Sequence, residues 1–264
     1  MLRAQDLYLT FNPDTPIETR ALRGMSLEIP AGQFVTVIGS NGAGKSTLLN
    51  AVSGDMAVDS GRIEIDNVEV TRQPVWERAN RVARVFQDPM AGTCEDLTIE
   101  ENMALADQRG SRRGFGRAVK AARREHYREH LATLGLGLEN RLTDRIGLLS
   151  GGQRQAVSLL MAALQPSRIL LLDEHTAALD PRTAEFVLAL TVRIVEEHKL
   201  TTMMVTHSMR QALDVGERTV MLHQGRVVLD VAGGHRKGLG VRDLLVMFER
   251  VRGEELADDS LLLG

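Results

Sequence analysis

Hydrophobic residues cluster in four short runs that predict buried parallel strands. The runs are FVTVIG (34–39), RILLLD (168–173), TMMVTH (202–207) and TVMLH (219–223). Each run is almost continuously apolar, as expected for strands that are covered by helices on both faces. Helical patterns separate the runs, so the sequence predicts an α/β fold built on a parallel sheet.

Two other segments alternate apolar and polar residues and predict antiparallel hairpins. GRIEIDNVEV (61–70) would turn at Asp66-Asn67, and VMLHQGRVVLD (220–230) would turn at Gln224-Gly225. Residues from about 90 to 165 are instead helical and rich in charge. Within them, Thr98 and Glu101 predict a capping box at a helix start. We therefore expect an antiparallel β part beside the parallel sheet and a helical part inserted into it.

Composition narrows the class of protein. The 264 residues are 43% hydrophobic, and 32 Lys and Arg against 35 Asp and Glu give a net charge of −3. This near-balance gives no support for nucleic acid as a partner. The single cysteine, Cys94, excludes an internal disulfide framework. No apolar run approaches the roughly 18 residues that cross a bilayer, and no secretory signal is present, so we expect a cytoplasmic chain.

The segment GSNGAGKST (39–47) predicts a phosphate-binding loop. It follows an apolar strand, leads into the helical pattern LLNAV, and fits G-x-x-x-x-G-K-[ST] in that context. The loop amides would wrap the phosphates, Lys45 would neutralise the terminal ones, and the Ser46 hydroxyl could ligate Mg²⁺. The residues expected to contact nucleotide here are Ser40, Asn41, Gly42, Ala43, Gly44, Lys45, Ser46 and Thr47.

A second acidic motif and a glycine pair extend this picture. ILLLDE (169–174) ends a strand in two carboxylates, of which Asp173 would hold Mg²⁺ and Glu174 would deprotonate the attacking water. In LLSGGQRQ (148–155), two glycines stand at a helix start, although glycine weakens a helix by about 1 kcal/mol. A helix start also suits an anion such as phosphate, so the chain offers two phosphate-binding helix starts.

These motifs, in this order, resemble the ATP-binding subunits of ABC transporters over residues 2 to about 230. LSGGQ (149–153) matches the family signature, Gln87 the Q-loop glutamine, AALD (177–180) the D-loop, and His207 the switch histidine. The resemblance implies a P-loop NTPase of the ABC type with a RecA-like core, an antiparallel β subdomain and an inserted helical subdomain. The implied boundaries are 1–240 for the ATPase domain, with core and β subdomain at 1–89 and 166–240, helical subdomain at about 90–165, and C-terminal helix and tail at 241–264.

The resemblance also implies ATP and Mg²⁺ as cofactors and a division of roles. Glu174, His207, Gln87 and Lys45 would be catalytic, and Ser46, Gln87 and Asp173 would bind the metal. A second, head-to-tail copy would contribute to each ATP site, because the signature would face the nucleotide bound to Lys45 of the other copy. The residues of the signature and D-loop expected to bind nucleotide would be Ser150, Gly151, Gly152, Gln153 and Asp180, and of these Ser150 and Gly152 would face the ATP of the other copy. Phe11 matches the aromatic that stacks on adenine, with Tyr8 as a competitor.

The family pattern favours an importer. Exporter cassettes usually carry TEVGERG before the signature, whereas this chain has TDRIGL (143–148), and LLLDEHTAALDP with His175 looks like a bacterial importer subgroup. We expect a separate transmembrane permease, an extracytoplasmic substrate-binding protein, and a peripheral location on the cytoplasmic face of the plasma membrane. The substrate would be a small solute such as an amino acid or a sugar. The alternatives are a soluble ABC ATPase, for example in iron–sulfur cluster assembly, and a nucleotide-binding scaffold without turnover.

Two remaining segments have less specific patterns. The basic run at 109–128 could meet lipid headgroups or a permease, but we favour a solvated helix whose acids offset part of the charge. Its basic residues include Arg112, Arg113, Arg117, Lys120, Arg123 and Arg124. VRDLLVMFERV (241–251) predicts a helix that packs on the core through Val241, Leu244, Leu245, Phe248 and Val251. Cys94 and Trp76 read as packing or surface residues.

Overall fold

The computed structural model describes residues 1–111 and 118–250. The strands are β1 (Leu2–Phe11), β2 (Thr19–Ile29), β3 (Phe34–Gly39), β4 (Ser60–Ile65), β5 (Val68–Glu69), β6 (Val82–Val85), β7 (Ile169–Asp173), β8 (Thr202–Val205), β9 (Arg218–His223) and β10 (Arg226–Ala232). The helices are α1 (Lys45–Ser53), α2 (Val75–Arg78), α3 (Ile99–Asp107), α4 (Ala121–Ala132), α5 (Gly151–Leu164), α6 (Pro181–His198), α7 (Met209–Asp214) and α8 (residues 241–250).

A six-stranded sheet forms the centre of the molecule. Its strand order is β10-β9-β3-β8-β7-β6, in which β9, β3, β8, β7 and β6 run parallel and β10 is antiparallel to β9. The four apolar runs of the sequence form β3, β7, β8 and β9, which confirms that prediction. The apolar pattern did not single out β6, because Val82–Val85 is short and contains an arginine.

A second, antiparallel sheet has the order β2-β1-β4-β5. Both predicted hairpins are present. Asp66 and Asn67 have φ of 55° and 61°, and Gln224 and Gly225 have φ of 43° and 78°. Two successive residues at positive φ match the twist of the flanking strands, which is why such short connections close these hairpins.

Alternate residues of the central strands point to opposite faces of the sheet and into different core clusters. On β7, Ile169 and Leu171 pack with α1 and the antiparallel sheet. Leu170 and Leu172 pack with α3, α5 and α6 on the other face. The protein is therefore layered, with α1 and α5 on opposite sides of the central sheet.

Helices α3, α4 and α5 lie between β6 and β7 in the chain and share one continuous core with the sheet. The predicted capping box is confirmed: Glu101 N donates to Thr98 Oγ1 at 3.3 Å, and Thr98 N donates to Glu101 Oε2 at 2.8 Å. The expected domain boundaries at about 90 and 165 stay a prediction.

Part of the basic run forms ion pairs with acidic side chains of the same chain. Arg124 forms two hydrogen bonds to the buried Glu100, at 2.5 and 2.6 Å, and Arg123 lies 3.6 Å from Asp107. Lys120 immediately precedes α4. These contacts favour the solvated-helix interpretation for the part of the run that the structure describes. Three of the basic residues lie outside the described residues: Arg112, Arg113 and Arg117.

The helix predicted near the C-terminus is present as α8, but fewer of its residues are buried than expected. Leu244 is buried against Ile38, and the Phe248 ring lies 5.4 Å from that of His223. Val241 and Leu245 are 38% and 42% exposed, so their predicted core packing is wrong. A short helix resting on one sheet edge buries only the i, i+4 stripe that faces it. Val251 lies outside the described residues. Within the described ranges, no helix is long and apolar enough to span a membrane.

Candidate active site

The predicted site residues follow neighbouring strands of the central sheet. The phosphate loop follows β3, His207 follows β8, Asp173 and Glu174 end or follow β7, and Gln87 follows β6. Because these four strands are adjacent and parallel, their carboxyl ends meet at one edge, where α/β sheets bind ligands. The strand order thus collects side chains from segments far apart in sequence.

The phosphate loop is fixed by its glycines. Gly44 has φ of 97° and caps the start of α1, and a Cβ there would lie 2.6 Å from the Ala21 carbonyl oxygen of β2. Only glycine fits such a position without strain. The Lys45 side chain curls back into the loop, donating to the carbonyl oxygens of Gly39 at 2.9 Å and Ser40 at 3.0 Å. The loop therefore holds the ammonium group among backbone groups that could surround a phosphate.

Burial lowers the pKa of Lys45, while the nearby carboxylates of Glu174 and Asp173 act in the opposite direction. Both carboxylates are therefore electrostatically close to the lysine. This places the two acids of the ILLLDE motif and the phosphate loop at one centre.

Glu174 and His207 are in direct contact. His207 Nε2 lies 2.6 Å from Glu174 Oε1, with the glutamate only 9% exposed and the histidine 50% exposed. Glu174 has φ of 46°, which is uncommon for a residue with a side chain, and its amide is held by the Val205 carbonyl at 3.0 Å. A strained backbone that the neighbouring strand fixes is a common feature of functional sites. The sequence motifs predicted a role for each of these residues but not this contact between them.

Asp173 has a partner that the sequence motifs did not predict. Arg84 Nη2 donates to Asp173 Oδ2 at 2.7 Å, and Arg84 Nη1 contacts Asp55 Oδ2 at 2.9 Å and Asn50 Oδ1 at 2.7 Å. The one available signal was an arginine inside the apolar stretch VARVF.

The signature segment caps its own helix. Gln153 N donates to Ser150 Oγ at 3.3 Å, and Ser150 N donates to Gln153 Oε1 at 3.2 Å, which forms a capping box at the start of α5. A Cβ at Gly152 would overlap the Thr183 side chain of α6, whereas a Cβ at Gly151 would meet only Leu179 Cδ2 at 3.6 Å. Gly152 is thus required by packing, while Gly151 is exposed.

Lys45 and the signature stand on helices at opposite faces of the sheet. α1 packs in one core cluster with β1 and β2, and α5 packs in the other with α3 and α6. The two helix starts that the sequence predicts to bind phosphate therefore lie on different sides of the sheet.

Two other residues near the site, Asp180 and Gln155, form hydrogen bonds within the chain. Asp180 accepts a hydrogen bond from Thr183 N at 3.1 Å and caps α6. Hydrogen bonding to Thr183, through its side chain first and its amide second, lowers the pKa of Asp180. Gln87 is exposed. The buried Gln155 of α5 donates to the Phe86 carbonyl at 3.1 Å, beside Gln87. This contact, absent from the sequence prediction, joins the signature helix to the segment that follows β6.

His175 is buried behind the acidic pair. Its Nε2 lies 2.8 Å from Thr191 Oγ1 on α6. Thr191 already donates its hydroxyl hydrogen to the Val187 carbonyl, so the histidine must donate to Thr191. Burial lowers the pKa of His175 to about 4. His175 is therefore a neutral link between the turn that carries Glu174 and helix α6.

The adenine candidates differ in their surroundings. Phe11 is half-buried at the end of β1, against the core cluster that contains α1. Tyr8 is 48% exposed. Its side chain lies against Gly24, where an added Cβ would be only 2.8 Å from the Tyr8 hydroxyl oxygen. The choice between the two stays a prediction.

A groove of about 580 Å³ lies beside the Gln87 segment, between it and helices α3 and α5. Residues 91–94 form one wall, and Arg84 reaches it from β6. Trp76 also lines the groove and is 73% exposed. Trp76 is therefore a surface residue, one of the two readings that the sequence left open.

Comparison with known proteins agrees with this geometry. The family model described as "ABC transporter" matches residues 22–177. The tyrosine transport ATP-binding protein of Clostridioides difficile (strain R20291) is 42% identical over 250 residues, covering 94% of this chain and 99% of that protein. The thiamine import ATP-binding protein ThiQ of Shigella sonnei (strain Ss046) is 35% identical over 202 residues, covering 76% of this chain and 82% of that protein.

Among solved structures, a dimeric post-hydrolysis state of the ATP-binding cassette MJ0796 bound to ADP and Pi superposes with a TM-score of 0.75. It is 29% identical and covers 88% of this chain and 98% of that one. These matches confirm the predicted ABC-type fold of the P-loop class and do not favour the iron–sulfur alternative. The chain belongs to the ABC transporter family, as an ATP-binding subunit with the ATPase activity of that family.

Proposed function

We propose that this chain is the ATP-hydrolysing motor of a bacterial importer, acting as two copies that close on two ATP molecules beside a separate membrane permease. The observation that carries the proposal is the cluster at the carboxyl edge of the sheet, above all the 2.6 Å contact between Glu174 and His207. An importer is supported by the relatives, one of which is named as a thiamine import subunit.

In this site Glu174 is the general base for the attacking water. Its carboxylate is nearly buried and is oriented by His207, which leaves one oxygen to accept a proton. Lys45 moves from the loop carbonyls to the terminal phosphates, where its charge offsets the charge of the transition state. In this proposal the half-exposed His207 contacts the γ-phosphate.

The donor set suits Mg²⁺. The Ser46 hydroxyl on α1 and the Asp173 carboxylate at the end of β7 are hard oxygen ligands of the kind that this ion prefers, and Gln87 follows the adjacent strand. When bound, Mg²⁺ neutralises phosphate charge. Phe11 stacks on the adenine in this proposal.

A second copy completes each site. Because α1 and α5 of one chain lie on opposite faces of its sheet, the signature of a partner copy supplies the second helix start to the nucleotide held by Lys45. Ser150, Gly151, Gly152, Gln153 and Asp180 form this contributed surface. The dimeric MJ0796 cassette supports this arrangement.

Mixing two inactive variants tests the pairing. Lys45→Met removes the phosphate-loop cation, and Ser150→Arg obstructs the contributed surface. Each variant alone should lack ATPase activity, and a mixture should recover activity, because a mixed pair contains one intact site. If mixing restores nothing, the shared-site proposal is wrong.

Glu174→Gln tests the base. The change keeps the size of the side chain and removes its ability to take a proton, so hydrolysis should fall about 10²-fold or more. ATP binding should persist, and size-exclusion chromatography should show that ATP-bound dimers accumulate. Glu185→Gln, an exposed position on α6, is the matched control. Unchanged turnover in Glu174→Gln would contradict the assignment.

We propose that the permease binds at the groove lined by Trp76, next to the segment that carries Gln87. Trp76→Ser should reduce co-purification with co-expressed permease subunits while leaving basal hydrolysis unchanged. Ile17→Ser, which removes an equally exposed apolar side chain, is the control. Retained co-purification would place the permease elsewhere.

An amino acid is the substrate class that we propose, because the relative matched over 94% of this chain is named for tyrosine transport. Specificity would be set by the permease and an extracytoplasmic binding protein. Uptake of labelled amino acids by vesicles containing the complex, with sugars for comparison, tests this choice.

A further inference from the structure

The strongest unassigned feature is a cation held against the proposed metal carboxylate. Arg84 and Asp173 approach to 2.7 Å, and their side chains are only 12% and 13% exposed. The same guanidinium is held by Asn50 and Asp55 at the end of α1 and lies 4.6 Å from the centre of the Phe86 ring. Arg84 is thus fixed in position by groups on three sides.

This placement conflicts with metal binding. A carboxylate oxygen that accepts a hydrogen bond from a guanidinium has less negative charge to offer a metal ion. Two cations that share one partly buried carboxylate also repel each other, and solvent screens this repulsion less than it would at the surface. Arg84 has a second carboxylate available, because Asp55 is 40% exposed and already contacts Nη1.

We propose that Arg84 is an internal competitor of the divalent cation at Asp173. Arg84 neutralises Asp173 when no metal is bound, and metal binding requires Arg84 to give up this carboxylate while it keeps its contacts with Asn50 and Asp55. The inference rests on the function proposed above, through the assignment of Asp173 to the metal. Arg84 is therefore a positioning residue that sets the Mg²⁺ concentration at which the site loads.

The test measures binding of the fluorescent nucleotide TNP-ATP to the full chain over a range of Mg²⁺ concentrations and in EDTA. Arg84→Met removes the charge but keeps an apolar side chain against Phe86. We define the Mg²⁺ midpoint as the Mg²⁺ concentration that gives half of the maximal change in TNP-ATP binding. In Arg84→Met this midpoint should fall about three- to tenfold, the effect expected for loss of a partly buried charge interaction. Affinity in EDTA should not increase. Arg84→Lys should restore the wild-type midpoint.

Two further variants sharpen the comparison. Asp55→Asn removes the competing anchor and strengthens the hold of Arg84 on Asp173, so it should raise the Mg²⁺ midpoint. Arg168→Met removes a cation beside the start of β7, at the other end of the strand, and should leave the midpoint unchanged. Should Arg84→Met fail to fold, Arg84→Gln gives the same comparison with a side chain that can still donate to Asn50.

An unchanged Mg²⁺ midpoint in Arg84→Met, or an equal loss of affinity with and without Mg²⁺, would overturn the proposal and leave a purely structural arginine. Asp173→Asn separates this failure from failure of the proposed function. If Asp173→Asn loses its Mg²⁺ dependence while Arg84→Met has the wild-type midpoint, only the Arg84 proposal is wrong. If Asp173→Asn keeps the wild-type dependence on Mg²⁺, Asp173 is not the metal carboxylate. In that case the proposed role of Asp173 and the Arg84 proposal are both wrong.

Discussion

Replacing each signature glycine by alanine should have opposite effects on stability. Gly151 and Gly152 are adjacent at the start of α5, but a Cβ at 152 would overlap the Cγ2 methyl of Thr183, whereas a Cβ at 151 meets Leu179 at an ordinary 3.6 Å. The two substitutions are chemically identical. Any difference between them therefore reports packing against α6.

The magnitudes follow from two competing terms. Gly→Ala stabilises by about 0.4–1 kcal/mol where the backbone permits, by restricting the unfolded chain. An added methyl group in a packed contact costs about 1–3 kcal/mol. Gly151→Ala should therefore raise the free energy of unfolding by about 0.5 kcal/mol, and Gly152→Ala should lower it by about 1–2 kcal/mol.

The assay is thermal unfolding of the full chain followed by circular dichroism. A change of 1 kcal/mol shifts Tm by about 2–4 °C in a protein of this size, so Gly152→Ala should melt several degrees below the wild type. Thr183→Ser deletes the opposing methyl group and keeps the hydroxyl, so the Gly152→Ala/Thr183→Ser double variant should recover most of the loss.

Equal stability of the two alanine variants, or no recovery with Thr183→Ser, would refute the steric reasoning. ATPase activity gives a separate readout. Gly151 is exposed and is proposed to face the nucleotide of a partner copy, so Gly151→Ala should reduce hydrolysis without loss of stability.

Two predictions concern titration of buried groups. Burial lowers the pKa of His175 to about 4, below its ordinary value of 6.5, so the free energy of unfolding should fall as the pH drops through this interval, by about 2 kcal/mol between pH 7 and 5. His175→Gln should flatten that part of the profile in urea denaturation. Burial and a hydrogen bond to Asp107 raise the pKa of Tyr127 from 10 to about 12, so its contribution to stability is present below pH 10 and is lost as the pH rises to 12. In a Tyr8→Phe variant, ultraviolet absorbance should show Tyr127 ionising near pH 12, and ionisation near pH 10 would contradict its burial.

Local patterns predicted the features that local physics determines. Continuous apolar runs gave four central strands, because a strand covered on both faces needs no polar residues. Asp66-Asn67 and Gln224-Gly225 gave both hairpins, because Asp, Asn and Gly tolerate the positive φ that such turns require, which leaves only Gln224 at a φ uncommon for its residue type. Thr98 and Glu101 gave a helix start, because a capping box joins two residues that are only three positions apart.

Contacts that depend on strand order were beyond any such pattern. Arg84 and Asp173 are 89 positions apart and meet only because β6 lies beside β7 in the sheet. The arginine was visible inside VARVF, but nothing near it in sequence indicated which carboxylate it would reach. The same limit applies to Gln155 and the Phe86 carbonyl, which join α5 to the segment after β6.

The glycine pair shows why one pattern can have two physical causes. Ser150 Oγ accepts a hydrogen bond from the amide of Gln153, the third residue of α5. The amides of the first two residues, Gly151 and Gly152, therefore have no partner within the helix. Gly152 has no side chain because Thr183 occupies that space, and Gly151 has none although the space is open. The exposed start of α5 has free amides and lies on the face of the sheet opposite α1. It therefore suits a phosphate that is not held by the phosphate loop of the same chain. That separation is the physical reason why one chain would need a second copy.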